Sequence, residues 1–517
     1  MGAAMATAPR IKRTVILVHR WTGVAACVLM ALWFASGMTM LFVGYPKLLP
    51  AERLAGLPAL AAQDCCVAPD ALPGVADARK LVLTSVRGRP HYVMTTPAGV
   101  AAFDAATGRR EGALDAAGAL AAGRSFLPGA TARDAGSVVE DRWTHARALD
   151  PHRPLHVVEM DDAAATRLYV SSATGQVMLD ATRGERAWNY VGAWLHWLYM
   201  FRDQPKDPVW SWTVIVLSAV GTVSALAGAL NGIWRWRFAG RYKGGAKTPF
   251  RDFSMRWHHV LGMVFGLVLL AWIFSGLMSM NPFGVFDARL KPDMAAYAGG
   301  TPGTRRLAVD PARALALLHD DGFAARELEW RVLAGEPYLL ARDGTDRTRL
   351  VVADGAGVAV LARWPEARLL AAGTRLLPAA VQARARVTSY DAYYYRRQAQ
   401  SMYGDDERRL PALRLDFADA GITWAYLDPY TGDVVASMDR AQRTGRWLFN
   451  LLHSWDLPPM LAAGWLREAV LLVLGIGGLL FSATAVVIGV RRLRLRWRSA
   501  RDALKRPDRR SSGTGAA

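Results

Sequence analysis

Five of the chain's ten histidines stand where an ionisable side chain is costly. His19, His196, His258, His259 and His453 lie in or beside long apolar runs. Ionisable groups at membrane depth mark functional sites by default. Their placement is regular: His19 and His258 sit near the start of one apolar run each, whereas His196 and His453 each precede another. Two neutral imidazoles facing one another inside an apolar helical bundle suit axial ligation of a low-spin b-type haem through Nε2. Zinc competes poorly, because it wants four protein ligands, or three with an open position. Asp203 and Asp456 are acids near these histidines in sequence. The candidate iron ligands are therefore one pair from His19 and His258, with His259 as the substitute for His258, and a second pair from His196 and His453. That makes two haem b groups. Arg20 and Arg256 are candidates for the propionates, and Trp21, Trp188, Trp194, Trp197, Trp447 and Trp455 read mainly as an interface belt.

The other histidines carry less. His91, His145, His152, His156 and His319 have no partners at equivalent places in the chain. His152 and His156 are separated by Pro154 and lack a third ligand, so they read as solvated or packed side chains. Cys27 lies in the first apolar run, and Cys65-Cys66 are adjacent. An oxidising compartment permits a bridge there, although neighbours in sequence close no useful loop. With no CxxC or CxxCH, neither a thiol redox motif nor covalent c-type haem is indicated.

The elements that position the five histidines are membrane spans. The 517 residues are 52% apolar, with only 21% charged, which excludes a disordered chain. Four windows, about 15–43, 210–233, 258–280 and 469–490, are long enough to cross a bilayer. The first is too long for a signal-peptide core and contains His19-Arg20, so it reads as a retained helix. Net charge is +19, and +17 of it sits in three short segments flanking the windows: before Thr14, from Arg235 to Arg256, and from Arg491 onward. Four crossings place those three segments on one side, and the positive-inside rule makes that side cytoplasmic. The charge is a topology signal, and no nucleic-acid partner is expected.

The chain also repeats itself. His19-Arg-Trp-Thr-Gly23, Trp33 and Ser36-Gly37 match His258-His-Val-Leu-Gly262, Trp272 and Ser275-Gly276 at a constant offset of 239. At an offset of 257, Thr174-Gly175 matches Thr431-Gly432, His196 matches His453, and Gly221 matches Gly478. The unit is helix, outside domain, helix, occurring twice in one orientation, which implies an axis along the membrane normal. Expected segments are 1–14, a cytoplasmic N-terminus; 15–43, the first span; and 47–186, an extracytoplasmic domain. There follow 187–236, an interfacial helix plus the second span, 237–256, a cytoplasmic loop, and 257–280, the third span. The remainder is 281–445, a second extracytoplasmic domain, 446–490, an interfacial helix plus the fourth span, and 491–517, a cytoplasmic basic tail, disordered after Arg506.

Both outside domains read as α+β. Runs around Thr174-Gly175 and Thr431-Gly432 are β-hairpins, and the Ala/Leu-rich stretches 113–126 and 312–318 are helical. Asp141-Arg-Trp-Thr-His145 and Asp391-Ala-Tyr-Tyr-Tyr-Arg396 can meet a ligand or an aromatic chelator, or else are core aromatics with a capping aspartate. Gly475-Ile-Gly-Gly478 lies inside the fourth span and reads as helix packing.

His19-Arg-Trp-Thr-Gly, Leu195-His196-Trp-Leu, His258-His-Val-Leu-Gly and Leu452-His453-Ser-Trp resemble the helix signatures of the PepSY-associated transmembrane family. The Tyr-Val and Tyr-Leu hairpins before Thr-Gly resemble its PepSY-like domains, so the likeness covers about 12–495. The fold class implied is an α-helical membrane protein: four transmembrane helices from a parallel tandem repeat, with two α+β PepSY-like extracytoplasmic domains. That family includes di-haem ferrisiderophore reductases of the bacterial inner membrane. The resemblance implies that His19, His258, His196 and His453 occupy its haem-ligand positions. The large outside domains in both repeats depart from the compact reductases.

The expected activity is a haem-containing oxidoreductase of the inner membrane, passing electrons to a periplasmic ferric siderophore or other Fe(III) chelate. No NAD or flavin domain is evident, so the electron donor is separate, a quinol or a cytoplasmic reductase. The membrane lipid is the other partner. The competing expectation is a non-enzymatic PepSY-domain protein that binds peptide or regulates a protease, its histidines only packing helices. Transport at the repeat interface is disfavoured by the lack of intramembrane acids and broken helices.

Overall fold

A computed structural model describes residues 2–202, 207–355, 357–396 and 408–504. The tail beyond Arg506 and Asp203 lie outside the described residues. The chain divides into a helical unit, formed by the segment up to Phe42, Val191–Val285 and the segment from Trp447 on, and a β-rich unit, Val43–Tyr190 with Phe286–Arg446.

Four long helices build the first unit: α1 (Gly2–Met40), α2 (Pro208–Arg235), α3 (Phe253–Ser279) and α4 (Trp465–Leu504). Each contains a stretch apolar and long enough to cross a membrane. Asp207 and Asp252 cap α2 and α3, accepting from Trp210 N–H and Met255 N–H at 3.0 Å each. α1 packs on α2 and α4, and α3 packs on the same two, so α1 and α3 stand diagonally. Ala26, Met30, Phe34, Ala225, Leu269 and Ile273 fill the middle. Val28, Val264, Leu267 and Val473 face outward and are more than half exposed. Such a surface needs an apolar surround, which lipid supplies. Gly475 meets Met38, Gly477 meets Phe265 and Gly478 meets Phe34, so this glycine run packs helices. The basic segments gather at one end: Arg491 pairs with Asp252 at 3.2 Å, Arg496 lies over Trp21, and Lys12 over Trp234.

Among the described residues, the β-rich unit has three sheets. Strands β1 (Lys80–Val86), β2 (Arg89–Thr96) and β3 (Gly99–Asp104) come from the first segment. The next four are β4 (Ala132–Val138), β5 (Leu155–Met160), β6 (Arg167–Ser171) and β7 (Val177–Ala181). The second segment supplies β8 (Glu327–Leu333), β9 (Glu336–Arg342), β10 (Thr348–Asp354) and β11 (Gly357–Leu361). It ends with β12 (Val381–Val387), β13 (Ala412–Phe417), β14 (Trp424–Leu427) and β15 (Val434–Met438). β4 to β7 and β12 to β15 form two four-stranded antiparallel sheets in sequential order. The helices Ala116–Phe126 and Glu366–Gly373 pack one on each. Gly175 and Gly432 turn the β6–β7 and β14–β15 hairpins at φ of 72° and 82°, where a side chain would be strained.

Strands of the stretches 47–186 and 281–445 also share a sheet. Their remaining strands make one seven-stranded sheet, ordered β11-β10-β9-β8-β1-β2-β3, in which β1 pairs antiparallel with β8, Leu81 opposite Trp330. Apart, each stretch would leave β1 or β8 as an open edge, and pairing removes both. Leu83, Tyr92, Leu328 and Trp330 sit together in the core beneath, with the helix Pro311–Asp320 contributing Ala314, Leu315 and Leu318.

Candidate functional site

The histidines expected to pair are brought together. His19 on α1 and His258 on α3 face one another with ring centres 6.2 Å apart. His196 and His453, on short helical segments of the same unit, have ring centres 6.2 Å apart as well. A ring nitrogen bound to a first-row metal lies about 2.0–2.1 Å from it; adding about 1.1 Å to each ring centre gives roughly 6.3 Å for two trans imidazoles. Both separations are close to that value.

Hydrogen bonding sets the tautomers. His19 Nδ1 is 3.0 Å from Ser224 O, a carbonyl that can only accept, so Nδ1 carries the proton. His258 Nδ1 is 3.1 Å from Thr484 Oγ1, whose hydrogen is already donated to Phe481 O at 2.6 Å. His196 Nδ1 is 3.1 Å from Ser36 Oγ, which donates to Leu32 O at 2.7 Å. His453 Nδ1 is 3.0 Å from Ser275 Oγ, which donates to Trp272 O at 3.0 Å. At His19 the imidazole must donate from Nδ1; at the other three it donates from Nδ1 where the hydroxyl keeps its helix bond, and Nε2 then carries the lone pair. This is the arrangement a metal-ligating histidine adopts, its second nitrogen oriented by an outer partner.

His259 differs. Its Nδ1 is 2.7 Å from Thr248 Oγ1 and its Nε2 is 3.0 Å from Gly232 O, so Nε2 must donate and neither nitrogen is open. The side chain is buried between Trp236 and Phe250 rather than solvated. Its role is to tie α3 to the end of α2.

A cavity of about 540 Å³ surrounds the first pair, lined mainly by apolar and small residues, among them Gly23, Met30, Gly221, Gly228, Gly262 and Leu270. Arg20, Arg235 and Arg492 reach its lining; Arg256, expected beside Arg20, is exposed and not among the lining residues. Gly228 is needed for close approach, since a Cβ there would fall 2.6 Å from Cε1 of His19. His258 stacks on Phe481 with ring centres 4.5 Å apart.

The second pair is held by matching devices at each histidine. A π-helical turn, Tyr190–Trp194 or Arg446–Leu451, precedes each histidine. Two residues after each, the backbone turns through the left-handed region, at Leu198 (φ 55°) and Trp455 (φ 50°). Trp210 Nε1 donates to Trp197 O at 2.7 Å, and at the offset position Arg467 donates to Ser454 O. Trp33 Nε1 donates to the carbonyl of His196 at 2.9 Å. His19 and Ser36 are 17 positions apart, as are His258 and Ser275. That is about 25 Å of helix rise, so the two pairs lie near opposite ends of the bundle.

A family model, the PepSY-associated TM region, matches residues 16–492. The chain belongs to the PepSY-associated transmembrane family. No curated protein matches it.

In this family member the other candidates serve structure. His152 Nδ1 bonds Ser171 Oγ at 3.0 Å and His156 Nε2 bonds Leu114 O at 2.9 Å, so the two do not converge. Asp141 Oδ1 accepts from Trp143 N–H at 3.0 Å, and Asp391 Oδ1 from Tyr393 and Tyr394 N–H at 2.7 Å each. Both aspartates organise turns, and Tyr394 and Tyr395 are core residues. Cys65 and Cys66 are bridged to one another. Sequence reasoning left the hydroxyls of Ser36, Ser275 and Thr484 without a role. A signal for the serines was present, because Ser36-Gly37 and Ser275-Gly276 recur at the offset of the histidines. The π-turns had none.

Proposed function

We propose that this protein is a di-haem oxidoreductase of the bacterial inner membrane that delivers electrons to an external ferric chelate. The observation that carries the reading is the set of four imidazoles, each held at Nδ1 and paired twice at 6.2 Å. The residues fit haem: two nitrogen donors per site, a porphyrin-sized apolar cavity at the first pair, and arginines at its lining for the propionates. Bound haem would supply reversible one-electron chemistry. The chain's own residues ligate through His19, His258, His196 and His453, fix ring orientation through Ser224, Thr484, Ser36 and Ser275, and exclude water with the apolar layer of Met30, Phe34, Leu269 and Ile273.

The four helices are read as a parallel duplication, with each half's histidines meeting their counterparts. The β-rich unit, read as two PepSY-like halves, is periplasmic, and both termini and the loop 235–256 are cytoplasmic. Clustering of Lys12, Arg491 and Arg496 at one end of the helical unit supports that orientation. The acceptor is a ferric siderophore or similar chelate, whose Fe(III) takes one electron to become Fe(II); a quinol or a cytoplasmic reductase provides it.

Two measurements test this. The purified protein reduced with dithionite should show a b-type haem spectrum. Reoxidation by a ferric siderophore should then outpace that by the same siderophore carrying redox-inert gallium. A haem-free protein, or equal slow reoxidation by both, would overturn the reading and leave a peptide-binding membrane module in its place.

A further inference from the structure

The β-rich unit holds a separate group of ligand-type side chains. His91 on β2, Asp104 at the end of β3 and Glu111 just beyond each offer a donor atom, all within 4.8 Å of one another. Strand register brings them together. His91 pairs directly with Asp104, and after a turn the Glu111 N–H donates to Ala102 O at 2.8 Å. Ala102 and Asp104 are two apart on one strand, so all three side chains share one face at the edge of the seven-stranded sheet.

Each side chain is fixed on one side and open toward the other two. His91 is only 2% exposed, and its Nδ1 lies 2.9 Å from Arg89 O. A carbonyl can only accept, so Nδ1 carries a proton, and Nε2 lies on the other side of the ring, 3.7 Å from Glu111 Oε1. The other Glu111 oxygen takes the Arg87 guanidinium at 2.6 Å. Asp104 Oδ1 accepts from Ala106 N–H, Thr107 N–H and Thr107 Oγ1–H at 3.0, 2.9 and 2.9 Å. No hydrogen bond engages Asp104 Oδ2 among the described residues. Three ligand-type atoms thus converge, with one arginine alongside.

We propose that His91, Asp104 and Glu111 form a binding site for a first-row divalent transition cation. One imidazole nitrogen with two carboxylate oxygens suits Zn²⁺, Mn²⁺ or Fe²⁺ better than Ca²⁺, which takes oxygen alone, or Cu⁺, which prefers sulfur. Three protein ligands leave at least one position for water, as in exchangeable sites. The histidine and both carboxylates are already oriented from behind, the condition under which such ligands bind well. This site is independent of the paired histidines and of the redox reading.

The test uses the full-length protein in detergent, treated with a chelator and titrated calorimetrically with Zn²⁺. Wild type should bind one equivalent more than His91→Ala, and Glu111→Gln should weaken that equivalent at least tenfold, with far-UV circular dichroism and the visible spectrum unchanged. Co²⁺ should give d–d absorption that His91→Ala abolishes. If His91→Ala fails to fold, the partly exposed, near-isosteric Glu111→Gln decides alone. Equal Zn²⁺ stoichiometry and affinity in wild type and Glu111→Gln would overturn the proposal, leaving a shared proton as the cation between His91 and Glu111.

Discussion

Ser36 and His196 meet at 3.1 Å, hydroxyl against ring nitrogen. With the serine's hydrogen on Leu32 O, 2.7 Å away, the imidazole donates to Ser36 Oγ and its far nitrogen is left as a Lewis base. Ser275 repeats this with His453. Serine suits both positions because it is small enough to sit in a helix, and its back-bond to the preceding turn hides its own donor.

Replacing either serine should therefore weaken cofactor binding without removing it. Ser36→Ala or Ser275→Ala leaves the imidazole unanchored, and loss of such an outer partner typically lowers metal affinity 10–100-fold. Haem-to-protein ratio and the midpoint potential of the second site, measured by redox titration, should both change. Wild-type values for both would mean that the hydroxyls only pack helices.

The two pairs should fail separately. His19→Ala with His258→Ala removes both donors of one site, while the other pair lies about 25 Å along the helices. Haem content should fall to about half, with the residual spectrum unperturbed. Retention of full content would break the pairing scheme, since His259 has no open nitrogen to substitute.

Two glycines predict opposite outcomes. A Cβ on Gly228 would lie 2.6 Å from Cε1 and 2.8 Å from Nδ1 of His19, so Gly228→Ala must displace the ring. Overpacking of this kind costs about 1–3 kcal/mol, and here it also spoils the ligand's aim. A Cβ on Gly276 would sit 3.8 Å from Cε1 of His453, an ordinary contact. Gly228→Ala should lose the first site in an absorbance assay, and Gly276→Ala should keep both.

How much of the molecule is legible in its sequence follows from what sequence encodes locally. His19, His196, His258 and His453 were visible because ionisable residues interrupt apolar runs and recur at fixed offsets, and spans were visible from length and hydropathy. The Thr174-Gly175 and Thr431-Gly432 hairpins announced themselves through turn chemistry. The pairing of β1 with β8 was not legible, because strands some 240 positions apart carry no local mark of their partner. The same limit applies to His259. Its register neighbour His258 was preferred, but only the approach of Thr248 and Gly232 shows why His259 is closed. His91, Asp104 and Glu111 escaped notice because a hairpin and the turn after it, rather than a spaced motif, assemble them.

Proton linkage in the β-rich unit gives the last prediction. Burial first, then the charges of Glu52 and Glu185, raises Asp180 from 3.8 to about 6. The folded state thus holds a proton that the unfolded chain has released, so this contribution is present below pH 3.8 and is lost as pH rises through about 6. His152 acts oppositely: burial, then Lys80, lowers it from 6.5 to about 4, so its contribution is present above pH 6.5 and is lost as pH falls toward 4. The two slopes offset between about pH 4 and 6, and wild type should show a shallow profile there. Asp180→Asn removes one of them. It should stabilise the protein at pH 7 by about 1–2 kcal/mol, less than full linkage because the carboxyl keeps some solvent contact. The gain should vanish near pH 4, leaving stability that climbs with pH through the His152 range. Denaturant unfolding of the full chain in detergent, followed by intrinsic fluorescence at pH 4 and 7, measures both limbs. An Asp180→Asn variant no more stable than wild type at pH 7 would mean that the carboxylate is better solvated than its place beside Glu52 and Glu185 implies.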